Sequence, residues 1–122
     1  MATVRYFVAD VNRSLDFYTR VLGFSEKERW GPAIAMVEKD GLVLWLSGPV
    51  SSAAQPMPDG RMPESGGWNR IVVVVADIQA KTAELMSAGV VFRNEIISGP
   101  GGSQVLVEDP DGNPIEIFQP RS

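Results

Sequence analysis

The chain has 122 residues, of which 44% are hydrophobic and 21% are charged, and its formal net charge is −4. These totals are typical of one folded domain with a real core, and they argue against a disordered chain or a basic surface for nucleic acid. The longest strongly apolar run, residues 71–76, is far too short to span a bilayer.

The first half of the chain predicts one helix among four strands. The strands are expected at residues 4–8, 24–30, 33–38 and 42–47. A helix is expected from about Asn12 to Leu22, because apolar side chains recur there at helical spacing and Gly23 follows. Asn12 and Ser14 are alternative N-caps for this helix.

The second half repeats the same order of elements. Val8-Ala9-Asp10-Val11 matches Val75-Ala76-Asp77-Ile78, 67 residues later, and Asp40-Gly41 matches Asp111-Gly112, 71 residues later. The small drift between the two offsets indicates two copies of one unit that differ by short loop insertions. A helix is therefore expected from Ile78 to Ala88, with strands at residues 91–97, 103–108 and 114–118.

A segment rich in Pro, Gly and Ser separates the two copies. Proline cannot donate a ladder hydrogen bond, so residues 48–68 are expected to link modules of about residues 2–47 and 69–120. A connection this long is often functional. Two interpretations stay open: a plain linker, or a flap over a pocket with Met57, Met62 and Trp68 as adaptable apolar contacts.

The end of the chain predicts a hairpin that contains one notable acid. Turn-forming residues at 109–114 separate two apolar runs, and Glu116 lies in the second run between Ile115 and Ile117. Strand alternation places Glu116 on the face opposite the two isoleucines. That face is either exposed to solvent, with a hydrated Glu116, or lines a cavity, where the carboxylate becomes a candidate functional group.

Two residue types are missing, and their absence limits the chemistry. The chain has no Cys and no His. Thiol nucleophiles and Ser-His-Asp triads are therefore excluded, and a zinc or non-haem iron site of ordinary composition is nearly so. The N-terminal residues have no signal-peptide pattern, so a cytoplasmic location without a membrane partner is expected.

Two motifs carry a family resemblance over residues 3–120. The first is Val-Ala-Asp-Val-Asn-Arg-Ser-Leu-Asp-Phe-Tyr-Thr-Arg-Val-Leu-Gly-Phe, and the second is Glu-Asp-Pro-Asp-Gly-Asn-Pro-Ile-Glu-Ile. The chain resembles the glyoxalase/bleomycin resistance/dioxygenase group, the vicinal oxygen chelate superfamily. This resemblance implies an α+β fold in which two βαβββ modules with curled mixed sheets enclose a cleft, and it implies a homodimer.

The resemblance also implies where a divalent metal would be held. The family's ligands come from the first and last strands of each module, and these positions fall on Thr3, Trp45, Arg70 and Glu116. Only Glu116 keeps a metal-ligand side chain. A single carboxylate cannot hold a catalytic metal without help from substrate or water. No metal site and no cofactor are therefore expected, and a divalent metal belongs only to the alternative enzyme hypothesis below.

Strand parity suggests what replaces the metal. The parity that places Glu116 in the cleft also places Arg5 and Arg70 there, and Arg5 shares its strand face with Thr3 and Phe7. We hypothesise that the Arg70 guanidinium pairs with Glu116, with its planar fork on the two carboxylate oxygens. The pair is either a simple internal ion pair, or Arg5 or Arg70 also receives an anionic or carbonyl group of a ligand.

Three functional hypotheses follow. The favoured one is a metal-independent protein that binds a small aromatic or anionic molecule, for sequestration of a drug or metabolite. The second is a lyase, isomerase or dioxygenase that uses Glu116 with a divalent metal or as a lone base, and the third is an interaction module whose side chains fill the cleft. Aromatic side chains offer stacking surface or simply form the core. The predicted ligand-binding residues are Thr3, Arg5, Phe7, Trp45, Arg70, Glu116 and Phe118.

Overall fold

A computed structural model describes residues 2–121 of the chain. The chain divides into two compact units, Met1–Ser65 and Gly66–Ser122. Each unit has one main helix and a mixed sheet in a βαβββ-like order, with one additional short strand in the second unit, so the predicted α+β fold with two such modules is confirmed.

Unit 1 is a four-stranded sheet with one helical segment. Its elements are β1 (Ala2–Phe7), α1 (Val11–Asp16) continued by a π-helical turn (Phe17–Val21), β2 (Ser25–Trp30), β3 (Ile34–Lys39) and β4 (Leu42–Ser47). The strand order is β1-β4-β3-β2, in which β1 and β4 are parallel and the other pairs are antiparallel. A short 3-10 turn, Ser52–Ala54, follows in the proline-rich segment.

The core of unit 1 lies between α1 and the sheet face that it covers. Alternate residues of the central strands point to this face, and Val37, Leu44 and Leu46 are fully buried there. Tyr18, also fully buried, packs edge-on against Phe24, with ring centroids 5.6 Å apart. The opposite face of the same strands is less covered, and it carries the polar residues considered below.

The N-cap prediction for the first helix was wrong. The helix begins at Val11, and its cap is Asp10, whose side chain accepts a hydrogen bond from the backbone N–H of Arg13 over 3.2 Å. Asn12 and Ser14 are already inside the helix, so neither can reach the first free backbone N–H groups. Asp77 caps the second helix in the same way, which explains why the Val-Ala-Asp motif is repeated.

Unit 2 is built on the same plan, with a more irregular sheet. Its elements are β5 (Ile71–Val74), α2 (Ile78–Ser87), β6 (Val91–Phe92), β7 (Ile97–Gly99), β8 (Gly102–Glu108) and β9 (Pro114–Pro120). The strand order is β5-β9-β8-β6, with β7 also paired to β8, and β5 and β9 are parallel. None of the described helices is long and apolar enough to cross a membrane.

The single strand expected at residues 91–97 was wrong, because the structure breaks it into β6 and β7. Between the two strands, the backbone N–H of Arg93 donates to the Leu106 carbonyl over 2.8 Å. The Leu106 N–H in turn donates to the Asn94 side-chain oxygen over 2.9 Å. A side chain thus takes the place of a ladder partner, and the chain leaves the sheet between Arg93 and Ile97.

Candidate functional site

The less covered face of unit 1 carries a row of polar and aromatic side chains. Tyr6 is buried toward the helix, and therefore Thr3, Arg5 and Phe7 point to the other face. The parallel register pairs Arg5 with Trp45 and Phe7 with Ser47. Two of these predicted site residues, Arg5 and Phe7, are half-buried, whereas Thr3 is exposed at the start of the strand.

Arg5 is held in place by two neighbours on the adjacent strand. Its guanidinium carbon lies 4.9 Å from the ring centroid of Trp45. One terminal nitrogen donates a 3.0 Å hydrogen bond to the Ser47 hydroxyl oxygen, and Ser47, which is buried, donates to the Trp45 carbonyl over 3.3 Å. Among the described residues of this unit, no carboxylate forms an ion pair with Arg5.

A cleft of about 240 Å³ opens beside this group within unit 1. Phe7 and Ser47 line it from the strands, and Met62 lines it from the proline-rich segment. Most of the other lining residues are small and apolar: Val8, Ala9, Gly48, Pro49, Ala54 and Pro63. Of the three residues predicted for a flap, only Met62 lines this cleft. Met57 is 43% exposed and does not line it.

In unit 2, Arg70 and Glu116 form the predicted ion pair. Two nitrogens of Arg70, the terminal one and Nε, donate to the same oxygen, Oε1 of Glu116, over 2.9 and 3.1 Å. The Glu116 side chain is 12% exposed and that of Arg70 is 32% exposed. The pairing was predicted correctly, but its geometry was not, since the guanidinium does not span both carboxylate oxygens. Oε2 of Glu116 therefore stays available to another donor.

A second ion pair in unit 2 was not found from the sequence. Arg93 donates to Glu108 over 2.8 Å and to the carbonyl oxygens of Gly67 and Gly112, each over 2.9 Å. Its guanidinium carbon also lies 4.7 Å from the ring centroid of Trp68. Trp68 is 71% exposed, so its indole is a solvent-facing surface fixed from one side by Arg93.

Phe118, the remaining predicted ligand contact, lies on the same strand as Glu116. It is half-buried and lines a separate cleft of about 200 Å³ in unit 2, together with Ile97, Gln104 and glycines of the β7–β8 hairpin. No charged side chain lines this cleft. Its polar side chains are the Gln104 amide and the Ser98 hydroxyl, and its other side chains are apolar.

The residues present do not fit the divalent metal that the family resemblance implies. The only ligand-type side chain at the four implied positions, Glu116, is already bonded through Oε1 to the cationic Arg70. Among residues 2–121, no three His, Cys, Asp or Glu side chains lie close enough together to hold a metal ion. A guanidinium beside the one remaining carboxylate supplies positive charge where a cation would otherwise have to bind.

Comparison with known proteins places these features in context. Residues 1–117 match the model of the Glyoxalase/Bleomycin resistance protein/Dioxygenase superfamily. The chain is 32% identical to the protein YurT of Bacillus subtilis (strain 168) over 120 residues, which cover 93% of each chain. It is 26% identical to a lactoylglutathione lyase of Pseudomonas putida over 140 residues, which cover 93% of this chain and 80% of the lyase.

Among solved structures, one similar protein is TnmS3 from Streptomyces sp. CB03234, described as an antibiotic binding protein. Its TM-score is 0.76 and its sequence identity is 26%, and the match covers 99% of this chain and 95% of TnmS3. The matched relatives thus include an enzyme and a binding protein on one fold. Because one fold carries both functions, the site residues of this chain, and not its fold, distinguish between them.

Proposed function

We propose that this chain, which belongs to the glyoxalase/bleomycin resistance protein/dioxygenase superfamily, binds a small organic molecule and does so without a metal ion. The observation that carries the proposal is the Arg70–Glu116 ion pair. A carboxylate bonded to a fixed guanidinium is already neutralised, and a divalent cation at the same oxygen would have to displace or repel that positive charge.

The shape and composition of the clefts support binding of a small molecule. Small-molecule sites are concave and mostly apolar, with few polar groups that orient the ligand. The unit 1 cleft has this character, with mostly apolar walls and three polar side chains, those of Ser47, Glu64 and Ser65. The antibiotic-binding relative TnmS3 supports the same class of function. The expected ligand is aromatic or anionic, and its sequestration requires no chemical step.

A catalytic function is the second candidate, and two observations favour it. The chain is similar to a lactoylglutathione lyase. Oε2 of Glu116 is open to a proton donor, so Glu116 is a candidate lone base. Against this, Glu116 is engaged through Oε1 in an ion pair with Arg70, which gives the carboxylate a structural role that requires no reaction. Binding without reaction is therefore the better-supported function.

The test combines metal analysis with ligand binding. Purified protein is incubated with Zn²⁺, Ni²⁺, Mn²⁺ or Fe²⁺, desalted, and measured by elemental analysis, and we expect far less than one metal per chain. A thermal-shift screen of small aromatic compounds, both neutral and anionic, is run with and without EDTA. A ligand present at about 100 times its Kd stabilises the native state by about 2.7 kcal/mol. We therefore expect hits whose shifts EDTA leaves unchanged.

The variant Glu116→Gln separates the two candidate functions, because it keeps the shape of the side chain and removes the base. Ligand binding should survive this change within a few-fold, whereas the activity of an enzyme with Glu116 as base should be lost. Stoichiometric metal, or lactoylglutathione lyase activity that Glu116→Gln abolishes, would overturn the proposal. The homodimer implied by the family stays a prediction, to be checked by light scattering on the purified chain.

A further inference from the structure

Of the three arginines described above, Arg5 differs in how many of its donors are already used. Nε and one terminal nitrogen of Arg70 bond to Glu116, and its other terminal nitrogen contacts a carbonyl. Arg93 bonds to Glu108 and to two carbonyl oxygens. Arg5 uses one terminal nitrogen, and its Nε and second terminal nitrogen have no hydrogen-bond acceptor within residues 2–65. Of these three arginines, Arg5 is therefore the one whose guanidinium still has two adjacent N–H groups, an open donor edge, that a ligand could use.

Two neighbours of Arg5 hold its guanidinium group. Trp45 packs against the guanidinium face, and the Ser47 hydroxyl accepts from one terminal nitrogen. A guanidinium held by a ring and a hydroxyl is partly ordered before a ligand arrives, so less entropy is lost on binding. Two parallel N–H groups at a fixed spacing match the two oxygens of a carboxylate.

Ser47 lies between Arg5 and the unit 1 cleft: its hydroxyl accepts from Arg5, and the same residue lines the cleft, whereas Arg5 itself does not. An apolar cavity of about 150 Å³ is enough to hold benzene. The cleft, at about 240 Å³, therefore has room for one ring and a short arm that extends past Ser47. Glu64 also lines the cleft, and its carboxylate disfavours negative charge inside it, so the part of the ligand in the cleft is expected to be uncharged.

We propose that Arg5 receives the carboxylate of the ligand, so that the ligand is a monoanionic organic acid whose ring or apolar body occupies the cleft beside Ser47 and Met62. This inference rests on the proposed function and adds to it the chemical class of the ligand and the residue that selects it. Arg70, whose charge is matched by Glu116, is not the anion-receiving residue.

The test uses acids and their uncharged isosteres as probes. Phenylacetate and 3-phenylpropanoate are compared with phenylacetamide and 3-phenylpropanamide by thermal shift and calorimetry. A hydrogen bond to a charged group is strong enough to change affinity by about 10-fold to 100-fold. We expect each acid to bind at least about 10-fold more tightly than its amide, and the preference should shrink when NaCl is raised from about 50 to 500 mM.

Two variants identify the residue responsible. Arg5→Met keeps the apolar stem against Trp45 and should abolish the preference for acids. Arg20→Met is the matched control, because it removes one positive charge from the same unit on the surface of the helical segment. Arg20 is occupied by Asp16 at 2.8 Å, and its hydrogen bonds hold the pKa of the Asp16 carboxyl below the ordinary value. This control should leave the acid preference unchanged.

Each outcome separates this inference from the proposed function. If acid and amide bind wild-type protein equally, the inference fails, and metal-independent binding stands. If the acid preference persists in Arg5→Met, another residue receives the anion, and the inference fails as well. If none of the four probes binds, the inference fails, while the proposed function fails only if the wider screen also finds no ligand. If Arg5→Met does not fold, the ratio of acid to amide affinity in the wild-type protein, and the dependence of that ratio on salt, still test the inference.

Discussion

Replacement of Arg70 by Met should destabilise the protein by about 2 kcal/mol. Removing one partner of a fully buried pair costs about 3–5 kcal/mol, and a solvent-exposed pair contributes about 0–1 kcal/mol. The pair with Glu116 lies between these limits, because one side chain is 12% exposed and the other 32%. The unfolding entropy is about 2.1 cal/mol/K per residue, so a loss of about 2 kcal/mol lowers the melting temperature by roughly 8 °C.

The assay is urea and thermal unfolding of a double-mutant cycle. Arg70→Met leaves Glu116 as an unpaired, largely buried carboxylate, whereas the double variant Arg70→Met/Glu116→Met removes both charges. The double variant should therefore regain at least half of the lost stability. Lys81→Met, which breaks an i,i+3 pair of 3.4 Å on α2 of the same unit, is the control and should cost less than about 0.5 kcal/mol. An effect of Arg70→Met as small as that of Lys81→Met would refute the reasoning.

Two further changes test other parts of unit 2. Arg93→Met should lower the free energy of unfolding by about 2–4 kcal/mol, because Glu108 and two backbone carbonyl oxygens lose their hydrogen-bond donor. The same variant should shift the fluorescence emission of Trp68, and an unchanged emission would contradict the stacking of Arg93 on its indole. Gly102→Ala should cost more than about 2 kcal/mol in urea unfolding, because a Cβ there would lie 2.2 Å from the Gln119 carbonyl oxygen. Gly99→Ala, where a Cβ meets nothing within 4 Å, is its control, and equal effects would refute the steric argument.

Much of the fold could be predicted because its signals are local and occur twice. Alternation along each strand shows which residues share a face, and the repeated Val-Ala-Asp motif relates the two units. The contact between Arg70 and Glu116, which are 46 residues apart, needed the family resemblance as well, because the resemblance implied that both positions belong to one site. Strand parity added that the two side chains lie on the face of that site.

What the sequence did not predict depends on details of the backbone path. The break between β6 and β7 depends on the Asn94 side chain, which accepts a hydrogen bond in place of a backbone partner in the ladder. Neither residue propensity nor strand alternation shows that a side chain takes this role. The contacts of Arg93 could not be predicted for the same reason. They depend on how the backbone brings Arg93 close to Glu108 and to the carbonyl oxygens of Gly67 and Gly112. The hydrogen bond between Arg5 and Ser47 was not predicted either, because it depends on side-chain conformations that alternation does not give.

The edge strand β2 has a consequence for how the protein behaves at high concentration. All six of its residues, Ser25–Trp30, are exposed, and its pairing with β3 shifts register between Glu26 and Glu28. The strand carries acidic and basic side chains in succession, and it ends one side of the unit 1 sheet. Charge and irregular register both hinder another chain from adding to an open edge. This border of the sheet is thereby protected from the strand-by-strand growth that leads to aggregates.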